Sequence, residues 1–352
     1  MTHGGTGSVS LVGDVMIARP FAQSGRGDGA GFRAALAAAR EADCVVANLE
    51  MPLSRRGVRV PKTSSLRSDP AVIESVRAMG IDAVTLANNH LYDYGPEALL
   101  DTVSACRKAR ISCCGAGEDL EAALAPARLR AGGAAVALLS VACTLPVESA
   151  ARQGKPGIAP VGVGQSFEPD FNLSAEQPGT VPFVRTWAVP ADQQRVCDRV
   201  AALRDEGHAV IVGIHWGVPE HWLSPSLGRL AEYQRPLGRA LIDAGADIVL
   251  GHHSHSLHPI EVYRGRPIFY SVGNFLFEEP RAFMAPESVI VQARFGGRLA
   301  IALVPALLDA AGFPERAAGS AAARVLGHLA DLSKTFGTSI KVEGDRARLV
   351  LE

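Results

Sequence analysis

Residues 251–258 read Gly-His-His-Ser-His-Ser-Leu-His and carry four of the chain's ten histidines. Imidazoles crowded on one loop repel one another when protonated, and the neutral ring is the commonest metal ligand. A plain polar turn does not explain such clustering. His253 and His255 stand two apart, so a turning segment lets them reach different sides of one metal centre. The loop follows the apolar run 246–250, which has the length and composition of a buried parallel strand. In open α/β sheets ligands bind at such strand ends, because loops there are held by a rigid sheet and face a crevice.

Four further strand ends supply residues of the same kind. The strand at 9–12 runs into Asp14, and that at 44–47 into Asn48-Leu49-Glu50. The strand at 81–86 is followed by Asn88, Asn89 and His90, and that at 209–214 by His215. Taken singly, each has an ordinary explanation: a carboxylate after a strand caps a helix, an asparagine makes a turn, a histidine sits satisfied in a core. Five in succession specify a metal site. Imidazole, carboxylate and one amide oxygen together suit a borderline divalent ion such as Zn, Mn or Fe(II), whereas a soft-metal site takes thiolates.

The elements that position these residues alternate. Helical runs at 34–42, 70–79, 96–109, 190–206 and 227–244 separate the strands, and hairpins are expected at 259–272 and 289–304. This is an α/β pattern. Residues 146–190 break it: seven prolines and no sustained period mark a long insert, read here as a lid or substrate-binding segment.

Composition narrows the class. The formal net charge is −1, with 47% hydrophobic and 20% charged residues, an ordinary globular balance without the basic face that nucleic-acid binding requires. The six cysteines lack paired CxxC spacing and read as buried, reduced thiols. Neither a basic, apolar leader nor an apolar run of roughly 20 residues is present, so the expectation is a cytoplasmic protein with no membrane partner.

The series Gly-Asp-Val-Met, Asn-Leu-Glu, Asn-Asn-His, His-Trp-Gly, Gly-His-His-Ser-His and Tyr-Ser-Val-Gly-Asn-Phe resembles the CapA family of capsule-biosynthesis proteins, which share the calcineurin-like metallophosphoesterase fold. The resemblance runs from residue 8 to 345 and implies one domain, an αββα sandwich, with 146–190 inserted in it. It also implies that Asp14, Glu50, Asn89, His215, His253 and His255 are metal ligands and that His90 is a proton donor beside them. Spacing leaves His252 and His253 as alternatives; the resemblance is carried onto His253. Two positions depart from the phosphoesterase pattern: Met16 stands where a ligating histidine is expected, and Glu50 where a bridging aspartate is usual. One metal position keeps a full set (Glu50, Asn89, His215, His253), and the other is reduced to Asp14, Glu50 and His255. A single tight ion with a weaker second one follows.

Such a site implies metal-assisted hydrolysis of a phosphoester-type substrate, with Lys62 and Arg67 as candidates to bind its anion. The alternative is Cα epimerisation of a peptide in natural-product maturation, with Asp14 and His255 freer to act as bases and the insert gripping the peptide. A third reading is non-catalytic assembly of poly-γ-glutamate. The expected partners are a small molecule or a peptide.

Overall fold

The structure, a computed structural model, describes residues 5–25, 27–217, 229–278 and 283–352. The apolar run Ala209–His215 forms a strand buried along its whole length, as a central parallel strand covered on both faces must be. It lies in a six-stranded sheet between Ala134–Ala142 and Ile248–His252, all three parallel. Arg266–Phe269 continues the parallel set. The hairpin Ile260–Tyr263 to Arg266–Phe269 turns at Arg264 and Gly265, both at positive φ (50° and 70°). Turns with two such residues match the twist of the flanking strands.

The other main sheet has ten strands. Gly7–Met16, Cys44–Leu49, Ala83–Thr85 and Ser112–Cys114 run parallel. On its far side the first strand pairs antiparallel with Glu287–Phe295, which leads to Ala300–Leu308, Arg346–Leu349 and Ile340–Glu343.

Alternate residues of a strand face opposite ways, and burial sorts them accordingly. Val9, Leu11 and Val46 of the ten-stranded sheet meet Leu138, Ile211 and Leu250 of the six-stranded one in a single core between the sheets. Val12, Val45 and Ala47 face outward against Phe32, Val76 and Leu99, which come from helices Ala30–Ala39, Val72–Ala78 and Gly95–Lys108. Across the molecule, Val210, Val212 and Val249 pack against Val200, Leu237 and Leu241 of helices Pro190–Asp205 and Gln234–Asp243. The layers are therefore α, β, β, α, the sandwich expected. Each fully buried Val or Leu contributes about 1.5–3 kcal/mol, and all three cores draw on the strands whose ends carry the polar residues.

The differences from expectation are local. The helix expected over 227–244 begins outside the described residues, which show Gln234–Asp243. The proline-rich insert contains an antiparallel ribbon, Val163–Glu168 with Phe183–Ala188, and a short helix, Phe171–Glu176. No alternation announced the ribbon because neither face is buried: Phe167 and Val184 on one face and Phe183 and Trp187 on the other are all exposed. All six cysteines are free, three buried and three half-buried. Among the described residues no helix is long and apolar enough to cross a membrane.

Candidate metal centre

The five polar strand ends meet. Asp14 lies near the end of Gly7–Met16, where the pairing register shifts toward both neighbouring strands; such bulges re-aim side chains beside functional sites. Gly13 makes this possible, since a Cβ there would sit 1.9 Å from the Gly273 carbonyl oxygen. The close approach lets Asn274–Phe277 pair with the first strand at Asp14. Gly251 does the same for the histidine loop, because a Cβ would fall 2.4 Å from Trp216 Nε1, which donates to Tyr270 O at 3.0 Å.

The loop itself is strained. His253 and His255 have φ of 96° and 52°, a region costing about 1–3 kcal/mol per non-glycine residue. It is held by His253 N donating to Asp14 Oδ2 at 3.3 Å and Ala285 N donating to His255 O at 3.0 Å. Asn88 fixes the loop after Ala83–Thr85: its Oδ1 accepts from the backbone N–H of His90 and Leu91, and its Nδ2 donates to Leu49 O. Asn48 donates to Asp14 Oδ1 at 2.8 Å.

Two donor groups result. Ligand atoms of Glu50, His215 and His253 all lie within 4.8 Å of one another, as do those of Asp14, Glu50 and His255. In the first group His215 Nε2 is 2.8 Å from Asn89 Oδ1, 3.0 Å from His253 Nδ1 and 3.5 Å from Glu50 Oε1. In the second, His255 lies 3.6 Å from Asp14 Oδ2 and 3.7 Å from Glu50 Oε1. Both Glu50 oxygens are buried and, among the described residues, accept no hydrogen bond. A neutral imidazole carries one N–H, so lone pairs are left facing lone pairs, and a cation at the centre of each group resolves that conflict. The donor set fits a borderline divalent ion.

A family model described as Bacterial capsule synthesis protein PGA_cap matches residues 8–279. The chain belongs to that family. PGA_cap proteins are of the metallophosphoesterase-like superfamily. Relatives include the "PGA biosynthesis protein CapA" of Bacillus subtilis, 29% identical over 77% of this chain and 63% of that protein. The "Capsule biosynthesis protein CapA" of Bacillus anthracis is 28% identical over 77% and 60%. A "Probable polyglutamine synthesis accessory protein" of Mycobacterium tuberculosis is 34% identical over 66% and 55%. The chain thus spans less than two thirds of the length of these relatives.

Electrostatics in this PGA_cap site prepare ligands. Burial, followed by the neighbouring His253, holds the His215 imidazole well below its usual pKa. Burial and His255 do the same to His253. Both rings are therefore neutral and able to bind a cation. Burial alone would raise Asp14, but His252, His215 and His255 outweigh it and keep the carboxyl well below the usual range. Glu50 is pushed up, first by burial and then by Asp14. Two buried carboxylates side by side without a counter-ion cannot both ionise freely.

His90 stands beside this cluster, close enough that its charge bears on His253. Its Nδ1 lies 2.6 Å from Asp93 Oδ2 and 3.1 Å from Lys62 Nζ. Lys62 donates to Asp93 Oδ1 at 2.6 Å and to Asn89 O at 2.5 Å. Lys62 is therefore part of the site's wall, whereas Arg67 is exposed and lies 4.0 Å over the Tyr94 ring. Sequence reasoning left His252 as the alternative to His253 and missed Asn48, Asn88, Asp93 and Asn274, whose Oδ1 is 2.7 Å from His255 Nδ1. All but Asp93 fall inside the quoted motifs, and Asp93 follows His90 by three residues.

Proposed function

We propose that this protein is a metal-dependent hydrolase acting on a phosphoester-type substrate. One observation carries the reading: two buried donor groups share Glu50, whose oxygens have no other described partner. Glu50, Asn89, His215 and His253 would hold the tighter ion, and Asp14, Glu50 and His255 the weaker. A divalent ion there would supply Lewis acidity and would lower the pKa of water toward neutrality.

The remaining roles belong to the chain. Asp93 accepts from His90 Nδ1–H, which fixes the tautomer and the ring's orientation, as carboxylates do for functional histidines. The other nitrogen of His90 is then the one that exchanges a proton with the leaving oxygen. Burial lowers the His90 pKa, so the resting ring keeps a lone pair on that nitrogen; it takes up the proton released by the attacking water and passes it to the leaving oxygen. Lys62, itself lowered by burial, neutralises Asp93 and presents a cation near the site for a substrate anion. The relatives are named for capsule or polyglutamine synthesis, and we place the substrate in such a pathway.

The test is turnover of bis(p-nitrophenyl) phosphate by protein loaded in turn with Mn2+, Zn2+, Fe2+ and Co2+. The expected result is metal-dependent hydrolysis that falls about 10²–10⁴-fold in His90→Ala. Inactivity with all four ions sinks the reading. A second reading, Cα epimerisation of a peptide, is favoured by the exposed apolar ribbon, which is anchored through Arg185 and Thr186 N to Glu232. Incubating peptides in deuterated water separates the two, since only epimerisation adds mass at Cα.

A further inference from the structure

We infer that His252 is a metal ligand of the Asp14 group, a role that rests on the metal-centre reading above. His252 is the last residue of Ile248–His252 and pairs in register with His215. Ile248 and Leu250 face the core between the sheets, and two-residue periodicity turns His252 the same way. There its Nδ1 lies 3.0 Å from Asp14 Oδ1.

A buried histidine on an apolar strand is ordinarily satisfied by a hydrogen bond. This one is 2% exposed, and among the described residues neither ring nitrogen has a hydrogen-bond partner. An imidazole nitrogen and a carboxylate oxygen 3.0 Å apart with no hydrogen bond between them are spaced as two ligands of one cation would be. Leaving buried ring nitrogens unpaired is costly, and a bound cation removes that cost.

Neither close donor group includes His252, and the two are unequal in imidazoles. The Glu50 group has two imidazoles, His215 and His253, while the Asp14 group has one, His255. Met16, two residues beyond Asp14, supplies a buried thioether that is a poor ligand for a borderline ion. His252 restores the balance from the facing sheet. Asp14 keeps its orientation without it, because Oδ1 accepts from Asn48 Nδ2 and Oδ2 from His253 N. The ligand class is a divalent ion that tolerates mixed nitrogen and oxygen donors, such as Zn2+, Mn2+ or Co2+.

The experiment uses the full chain, stripped with chelator and titrated with Co2+. Bound ions are counted by elemental analysis and followed by d–d absorption. Wild type is expected to bind two ions. His252→Gln keeps an N–H able to donate to Asp14 but loses the imidazole, so the second ion should weaken by more than the roughly 10–100-fold typical of removing an outer partner. His255→Gln should lose the same ion, and the first should persist in both variants. If His252→Gln binds two ions with wild-type affinity, His252 merely orients Asp14 and the inference falls. If wild type holds a single ion, it falls as well. If wild type binds none, the metal-centre reading itself is overturned. Circular dichroism checks folding, and His252→Asn replaces the glutamine variant where that one does not fold.

Discussion

At the scale of the residue, Glu50 decides the most. It belongs to both donor groups, yet it lies fully buried with no described hydrogen bond and with burial and Asp14 driving its pKa up. A group so placed is costly to the empty protein and indispensable to the loaded one. Glu50→Gln should therefore stabilise the chelated protein by about 1 kcal/mol, the scale of a relieved desolvation penalty. It should also abolish the stabilisation that Mn2+ or Zn2+ confers on wild type. Urea unfolding with and without metal checks both halves; a variant less stable than wild type in chelator contradicts the account. The ligand-type residues were legible because His, Asp, Glu and Asn at successive strand ends have few structural reasons to recur. Asn274 was not legible in that role: it reaches Asp14 only because the chain returns to the first strand after a hairpin in the other sheet. No local pattern encodes that return.

At the scale of the element, the first strand is where backbone geometry becomes chemistry. Its register shifts around Asp14, and Gly13 lets the Asn274–Phe277 strand approach within what a Cβ would forbid. Gly13→Ala must push that strand away, because the obstructing atom is a backbone carbonyl rather than a flexible side chain. We expect a destabilisation of about 1–3 kcal/mol, typical of overpacking, together with weaker binding of an ion at the proposed Asp14 and His255 position. Thermal unfolding and Co2+ titration measure the two effects, and an unshifted first with an unchanged second would show that the approach is not required. Long buried strands and amphipathic helices were readable in advance because their periods report burial directly. The ribbon at 163–188 was not, since a segment exposed on both faces has no alternation to read.

At the scale of the whole molecule, alternating strands and helices announced an α/β fold, while the αββα order came from the family resemblance, because no local pattern says that two sheets stack. What such a fold costs under acid follows from burial. His258 is 1% exposed at the exit of the histidine loop, and burial pushes its pKa down from 6.5 to about 4. Between those values the unfolded chain binds a proton that the native state refuses, so native stability is complete above pH 6.5 and drains away as pH falls toward 4. The difference corresponds to about 3 kcal/mol. His215, His253 and His90 are also lowered by burial and add losses of the same sign in metal-free protein. Replacing His258 with leucine removes one titrating group and leaves those three. In chelator, the urea midpoint of His258→Leu should therefore fall less steeply than that of wild type between pH 6.5 and 4.5, by a slope approaching one proton. Parallel profiles would mean that His258 is protonated in the native state, and that the packing around the exit of the loop is looser than its burial implies.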